Sequence, residues 1–560
     1  MQKIFRVMII IAMLITAYLL ILAWRDDYAD APAVETVPKT ATSVGVDIPS
    51  TSGAAGDIPV QTLPVGTGTV AETPAANTGL ITVTTDRYDI KINPEGGDIV
   101  YAALKQYDAT LDSDKPFVLL ENNSNRVYVA QSGLIGKNGI DTAEGRAKYS
   151  HTANNYVMEK GQQTLSVPLT YQKDGVTVTK TFTFTQDKYP IDISYKIQNA
   201  SANAWQGQMF AQLKRDNSKD PGMSDKGALS MATYLGGAWG TPDDPYNKLK
   251  FGKFNDGELT TTSDKGWVGI VQHYFVSAWT PENFTGKFFS RETGDDYFIG
   301  FNSQPVNVAP NKQVTLNATL YAGPKVQAEL KEVAAGLNQT VDYGLLWPIS
   351  KILFAVLDGI HKVIGNWGWS IILLTLLVKI ALMWVSNKSY YSMAKMRAIA
   401  PRLAILKEEH GDDRMKMSQE MMAIYKEEKV NPMAGCLPIL MQMPIFLALY
   451  WVLVESVELR HAPWILWIRD LSAMDPWFIL PLLMGASMFI QQQLNPQPAD
   501  PMQAKVMKFL PIIFTAFMLF FPAGLVLYWT VNNLFSMTQQ YLINRKVEEE
   551  QKRRTVKVLD

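Results

Sequence analysis

Two periodicities of apolar and polar positions follow one another along the chain. From Leu80 to about Gly323 short segments alternate apolar and polar residues, as in "TLSVPLTYQKDGVTVTKTFTFTQDKYPIDISYKIQNA" and "QVTLNATLYAGP". A period of two is that of a strand with one buried face, and Lys173-Asp174-Gly175 reads as a hairpin junction. About 240 residues of this kind, with no helical pattern among them, predict a large antiparallel sandwich. From Val326 the period becomes helical. Leu345, Leu346, Ile349, Ile352, Leu353, Val356, Leu357 and Ile360 share a stripe, while Lys351, Asp358, His361 and Lys362 fall elsewhere. That is the profile of a helix lying at a membrane surface, although a helix packed on a domain shows it too.

Longer apolar runs bracket these regions. Val7 to Trp24 is 18 residues without a charge, preceded by Lys3 and Arg6 and followed by Arg25-Asp26-Asp27. It is longer than the ~7 to 15 residue core of a signal peptide, so residues 1–25 read as an uncleaved anchor with its basic end in the cytoplasm. Residues 26–79, rich in Ala, Thr, Pro, Val and Gly, cannot bury enough surface to offset ordering and read as a disordered tether. Further runs predict spans at about 369–385, 435–454, 477–490, 506–521 and 523–543, several barely reaching the ~20 residues a bilayer asks of a helix. The expected layout is therefore anchor, tether, sandwich over 80–325, linker and interfacial helix over 326–365, and a membrane region over 366–545. That region includes a helical hairpin at 387–430, and a basic tail follows at 546–560.

Charge gives this layout a direction. The segment Asn387–Val430 carries nine Lys and Arg and the stretch from Asn544 to the end six, whereas Glu455–Pro476 carries only Arg460 and Arg469. Positive residues stay inside, so both termini and the hairpin are expected in the cytoplasm and the sandwich outside it. The net charge of −1 implies no polyanionic partner. One cysteine, Cys436, excludes an intramolecular disulfide, and five scattered histidines supply no metal-ligand spacing. No phosphate loop, G-x-S-x-G or H-E-x-x-H motif occurs, so no catalytic residue, metal, cofactor or nucleotide is expected.

The chemistry concentrates on one cation. Lys379 stands inside "SIILLTLLVKIALMWVSN", where a central charge costs about 2.5 to 3.5 kcal/mol. Thr375 lies one turn earlier on its face. The sixth span has its own polar side in Thr530, Asn532, Asn533, Ser536, Thr538, Gln539 and Gln540, and the third adds Gln442. Such groups either tie helices together by hydrogen bonds or line a wet recess. The first alternative accounts poorly for a lysine in spans that hold no acid, and a hydrated cationic recess attracts a polar or acidic chain. Ser536 is also the one serine that a Ser-Lys dyad allows, since Ser370 and Ser386 stand roughly ten Å or more along the same helix. In the hairpin, Met393, Met396, Ile399, Leu403 and Leu406 form one stripe and Met415, Met421, Met422 and Tyr425 another, suited to meeting each other or to handling varied apolar sequences.

The stretches "GNWGWSIILLTLLVK", "SMAKMRAIAPRL", "GDDRMKMSQEMMAIYKEEKVNPMAGCLPILMQMPIFLALYWVL", "SVELRHAPWILWIRDLSAMDP" and "FPAGLVLYWTVNNLFSMTQQYLI" resemble the YidC-type insertases of Gram-negative bacteria, in the YidC/Oxa/Alb family. The resemblance extends to the anchor and to "GGDIV", "QSGL" and "QVTLNATLYAGP"; the tether alone lacks it. It implies a polytopic α-helical membrane protein of six transmembrane helices, five of them an insertase core, with an all-β periplasmic super-sandwich. It also implies a non-enzymatic insertase and chaperone of the inner membrane that moves nascent membrane proteins through a cationic groove, alone or with the Sec translocon. The implied groove holds Lys379, where the family usually has arginine, with Thr375, Gln442, Thr530, Asn532, Asn533 and Ser536; Tyr528 and Trp529 lie where substrates slide. The hairpin, with Met393, Met396, Arg397, Arg402, Met421 and Met422, and the basic tail would meet ribosomes and the signal-recognition targeting machinery. An anchored carbohydrate enzyme would instead need facing carboxylates in the sandwich, and a transporter paired ionisable residues and internal repeats.

Overall fold

A computed structural model describes residues 79–221, 233–256, 259–410, 414–428, 430, 437–495 and 501–559. The expected anchor, nearly all of the tether and Cys436 lie outside the described residues. The chain forms two compact units, one ending at Val341 and the other running from Asp342.

The first unit is a sandwich whose described strands make one sheet of eleven and one of nine. In the first sheet, strand Trp205–Asp216 lies between Val127–Ile135 and Asp296–Ser303. In the second, Pro190–Asn199 lies between Val176–Thr185 and Lys312–Pro324. The pairing is antiparallel as the alternation predicts, with one exception: Ile81–Thr84 runs parallel to Asn155–Val157. The predicted hairpin forms as a two-residue turn. Lys173 faces Val176 while Asp174 (φ 51°) and Gly175 (φ 77°) take the left-handed values that match the turn to the strand twist.

Period two decides what enters the core, and along Val176–Thr185 it buries Val178, Lys180, Phe182 and Phe184. Lys180 is therefore fully buried. Its Nζ crosses to the other sheet and donates to the carbonyls of Gly97 (2.7 Å), Gly96 (3.1 Å) and Ser132 (3.1 Å). The two glycine acceptors are presented by a turn in which Gly96 and Gly97 both have positive φ, and a Cβ on Gly96 would come 2.7 Å from the Arg146 guanidinium. Burial lowers the Lys180 pKa to about 7, against a smaller upward pull from Asp98. An unfolded lysine holds its proton to about pH 10.4, so between pH 7 and that value the unfolded state binds more protons and the native state gains stability as pH rises. The melting temperature of the full chain relative to Lys180→Met should accordingly climb from pH 7 to pH 9.5 and stay level from pH 6 to pH 7. A difference that falls with pH would show that the ammonium is the form the fold favours.

Helix α1 (Gln327–Val333) closes the first unit. The second contains α2 (Trp347–Ile364), α3 (Trp367–Ala381), α4 (Met383–Ala398), α5 (Ala400–His410), α6 (Arg414–Glu427), α7 (Leu437–Glu455), α8 (Ile479–Leu494), α9 (Pro501–Met518) and α10 (Ala523–Leu559). Gly365 ends α2 in the left-handed region (φ 73°), and the Asn366 side chain restarts the chain by accepting from Trp369 N.

Helices occupy every predicted apolar run in the described region, with differences at their ends. The run 369–385 does not continue straight: α3 stops at Ala381 and bends by 69° into α4, where the apolar sequence gives way to "SNKSYYS". The stretch expected as a two-helix hairpin contains three helices: the first ends at Ala398 and the next begins at Ala400, beside Pro401, which has no N–H to continue the helical ladder. The basic tail is no separate segment: α10, 37 residues long, continues into it as far as Leu559. The apolar residues in and just before α2 divide between buried and exposed positions. Ser350, Leu353 and Leu357 are buried, Ser350 Oγ donating to Ala448 O (3.1 Å) on α7, while Leu345 and Val363 are each 87% exposed. Among the described residues, Gly344–Ile364 alone is long and apolar enough to cross a membrane by itself; α3 and α4 qualify together across their bend, and most of α7 and all of α8 count as shorter apolar helices.

Candidate functional site: a buried cation among polar helices

Lys379 is 5% exposed on α3, and its Nζ donates to Ser536 Oγ of α10 at 2.7 Å. Ser536 directs its own proton to the Asn532 carbonyl one turn back (2.7 Å). The Tyr390 hydroxyl of α4, a residue that the periodicity gave no reason to single out, lies close enough to interact with it. Among the described residues no carboxylate pairs with Lys379. Ser536 is thus the serine that meets the lysine, but as acceptor from a cation and donor to its own helix. A base-activated nucleophile would hand its proton to the lysine instead.

The other predicted groove residues differ in what holds them. Gln442 of α7 donates to the Tyr528 hydroxyl, and Tyr528 is buried, so this pair joins two helices. Thr375 and Thr530 turn back onto their own helices, donating to Ile371 O and Val526 O, each at 2.7 Å. Asn533 Nδ2 donates to Ser487 Oγ (3.1 Å), which brings in α8 through a serine that the sequence reading passed over. Trp529 is half-buried, its ring 4.7 Å from Phe446 and 4.9 Å from Phe514. Within this set Asn532 Oδ1 is buried without a partner, at a cost of about 1–3 kcal/mol.

Two family models match the chain: the YidC periplasmic domain over residues 80–356 and the 60Kd inner membrane protein over residues 359–551. A relative named membrane protein insertase YidC from Pseudomonas syringae pv. syringae is 50% identical, covering 98% of this chain and 99% of its own. The chain belongs to the YidC family of membrane protein insertases. A second YidC relative, from Ectopseudomonas mendocina, is 48% identical over 97% of this chain and 98% of its own. A crystal structure of an active YidC insertase with its first transmembrane domain resolved covers 83% of this chain and 93% of its own, at 18% identity and TM-score 0.36.

In this YidC-family chain the hairpin residues do not form one surface. Met393 and Tyr425 are buried and Met396 and Met421 half-buried, whereas Met422 (42%) and Met415 (76%) are exposed. Arg397 is exposed. Arg402, also exposed, donates to Glu428 at 2.9 Å and lies 3.8 Å from Glu427. An exposed pair of this kind contributes little to stability.

Proposed function

We propose that this chain is an insertase of the inner membrane that passes polar segments of nascent membrane proteins across an apolar layer by way of the recess around Lys379. The observation that carries this reading is a lysine 5% exposed in an apolar helix, with a serine as its hydrogen-bond partner and no acid paired to it among the described residues. A charge so placed costs the fold energy and is repaid only by what it attracts.

In this reading six spans cross the membrane: the N-terminal run 7–24, the run held by α3, and α7 to α10. Both termini face the cytoplasm and the sandwich faces the periplasm. Lys379, Ser536, Asn532 and Asn533 wet the recess, Gln442 and Tyr528 hold its walls, and Thr375 and Thr530 lend polarity without exposing free donors. The apolar part of the client enters lipid beside Trp529. The region 387–430, through Met393, Met396, Arg397, Arg402, Met421 and Met422, and the basic end of α10 receive the ribosome and signal-recognition targeting machinery; the Sec translocon is a further partner.

The energetics require no nucleotide. Twenty good apolar residues moving into lipid gain roughly 6 to 12 kcal/mol, which exceeds the ~2.5 to 3.5 kcal/mol cost of a charge placed at the centre. What must be lowered is the barrier for the polar segment. Liposomes containing only the full chain, without nucleotide or translocon, should therefore insert a small membrane protein with an acidic translocated segment, read as a protease-protected fragment. Protection no greater than in protein-free liposomes would remove the insertase reading.

A further inference from the structure

We propose that α10 carries a ladder that recognises the main chain of an extended client, whatever its side-chain charge. The inference rests on the insertase reading and specifies what its recess holds. Asn532, Ser536, Gln540 and Asn544 follow one another at intervals of four residues and are all buried, at 7, 2, 0 and 7% exposure. Ser536 holds Lys379, whose ammonium has two further hydrogens. The three carboxamides each leave hydrogen-bonding capacity unused: Asn532 Oδ1, Gln540 Oε1, and both Oδ1 and Nδ2 of Asn544 have no partner. Gln540 is nevertheless held in place, its Nε2 donating to Asn495 Oδ1 (2.9 Å) and Leu494 O (3.2 Å).

Spacing indicates what would fill these positions. Four residues of α-helix rise about 6 Å. Same-facing amides of an extended chain recur every ~6.6 to 6.8 Å. Each rung also turns by about 40°, so the client follows α10 in a shallow spiral. A peptide group brings one donor and one acceptor at every residue, and in an apolar layer each must be satisfied. Carboxamides offer the complementary pair and Lys379 adds a strong donor, so any sequence can use the same rungs. Helix α4 lies along this stretch through Gln539 Nε2 to Asn387 Oδ1 (2.7 Å) and Tyr391 OH to Glu550 Oε2 (2.8 Å), and its displacement admits the client.

The test uses the full chain in liposomes, the double variant Asn532→Leu with Asn544→Leu, and two clients that differ only in an acidic or a neutral Ser/Gln translocated segment. Removing amide atoms that have no internal partner should leave the melting temperature unchanged or raise it. Insertion of both clients should fall by about tenfold or more, the loss expected when a hydrogen bond or two is removed from the rate-limiting state. Single variants should give smaller losses that are equal for the two clients. Wild-type rates in the double variant, a loss confined to the acidic client, or wild type that inserts only the acidic client would each overturn the ladder. A lowered melting temperature would overturn its premise that these amides lack internal partners. Wild type that inserts neither client would instead remove the insertase reading.

Discussion

Lys379→Ala is expected to slow insertion of a client with an acidic translocated segment by roughly 10- to 150-fold, the worth of a hydrogen bond to a charged group at about 1.5–3 kcal/mol. The ammonium is held by one serine and no acid among the described residues, so its remaining hydrogens are available to the client. Removing it should not unfold the protein, because the fold loses a buried charge that only a serine hydroxyl compensates. Lys379→Arg should retain most of the rate: the charge persists, and a planar fork of donors can still reach Ser536. Insertion rates in liposomes measured beside melting temperatures separate the two effects. If alanine inserts at the wild-type rate, the cation is dispensable for that client, and the amides of α10 become the working groups.

The largest stability effect is expected in the sandwich, at Arg146. Its Nη2 donates to Asp98 (2.8 Å) and to Ser132 O (2.9 Å), and its Nε to Asp141 (2.9 Å). Asp141 also accepts from Leu134 N (2.8 Å) and Ala147 N (3.1 Å), and Asp98 from Gln131 (3.1 Å). Both carboxylates are buried, and burial raises the pKa of Asp98 against the pull of Arg146 and Lys180. Arg146→Met leaves two buried carboxylates to the single cation Lys180 and should cost about 3–5 kcal/mol. For a unit of this size that lowers the melting temperature by roughly 6–20 °C. Adding Asp98→Asn should recover part of the loss, since it removes one of the stranded charges. A change under about 1 kcal/mol for Arg146→Met would show that the carboxylates take up protons at little expense.

Much of the architecture was legible because it follows from local periodicity. Alternation marked the strands of the sandwich, and Asp174-Gly175 supplied the turn that its hairpin requires. Apolar runs marked α3 and α7 to α10. The ends of these elements were less legible, since the bend after Ala381 and the break before Pro401 depend on the change from apolar to polar neighbours and on one proline, which a run length averages away. In the site, the exception to composition was the best guide: a lysine in an apolar helix identified itself, and polar residues on α10 marked the helix that faces it.

Partners could not be read in the same way. Nothing in "VTVTKTFTFT" says where Lys180 finds its acceptors, although alternation already puts it on the inward face; two of those carbonyls come from a turn more than eighty residues earlier and the third from Ser132. Ser487 and Tyr390 join the site only because α8 and α4 pack beside α10. Thr375 donates to the Ile371 carbonyl of its own helix, a partner that period alone does not name. By itself the sequence determined which segments are strands and helices, which residues each must bury, and that a charge would be buried among the last helices, because period and transfer energy act along the chain. Only the tertiary structure decided which hydroxyl holds Lys379, which carbonyls hold Lys180 and which amides of α10 are left open, because a buried polar group is satisfied by neighbours in space.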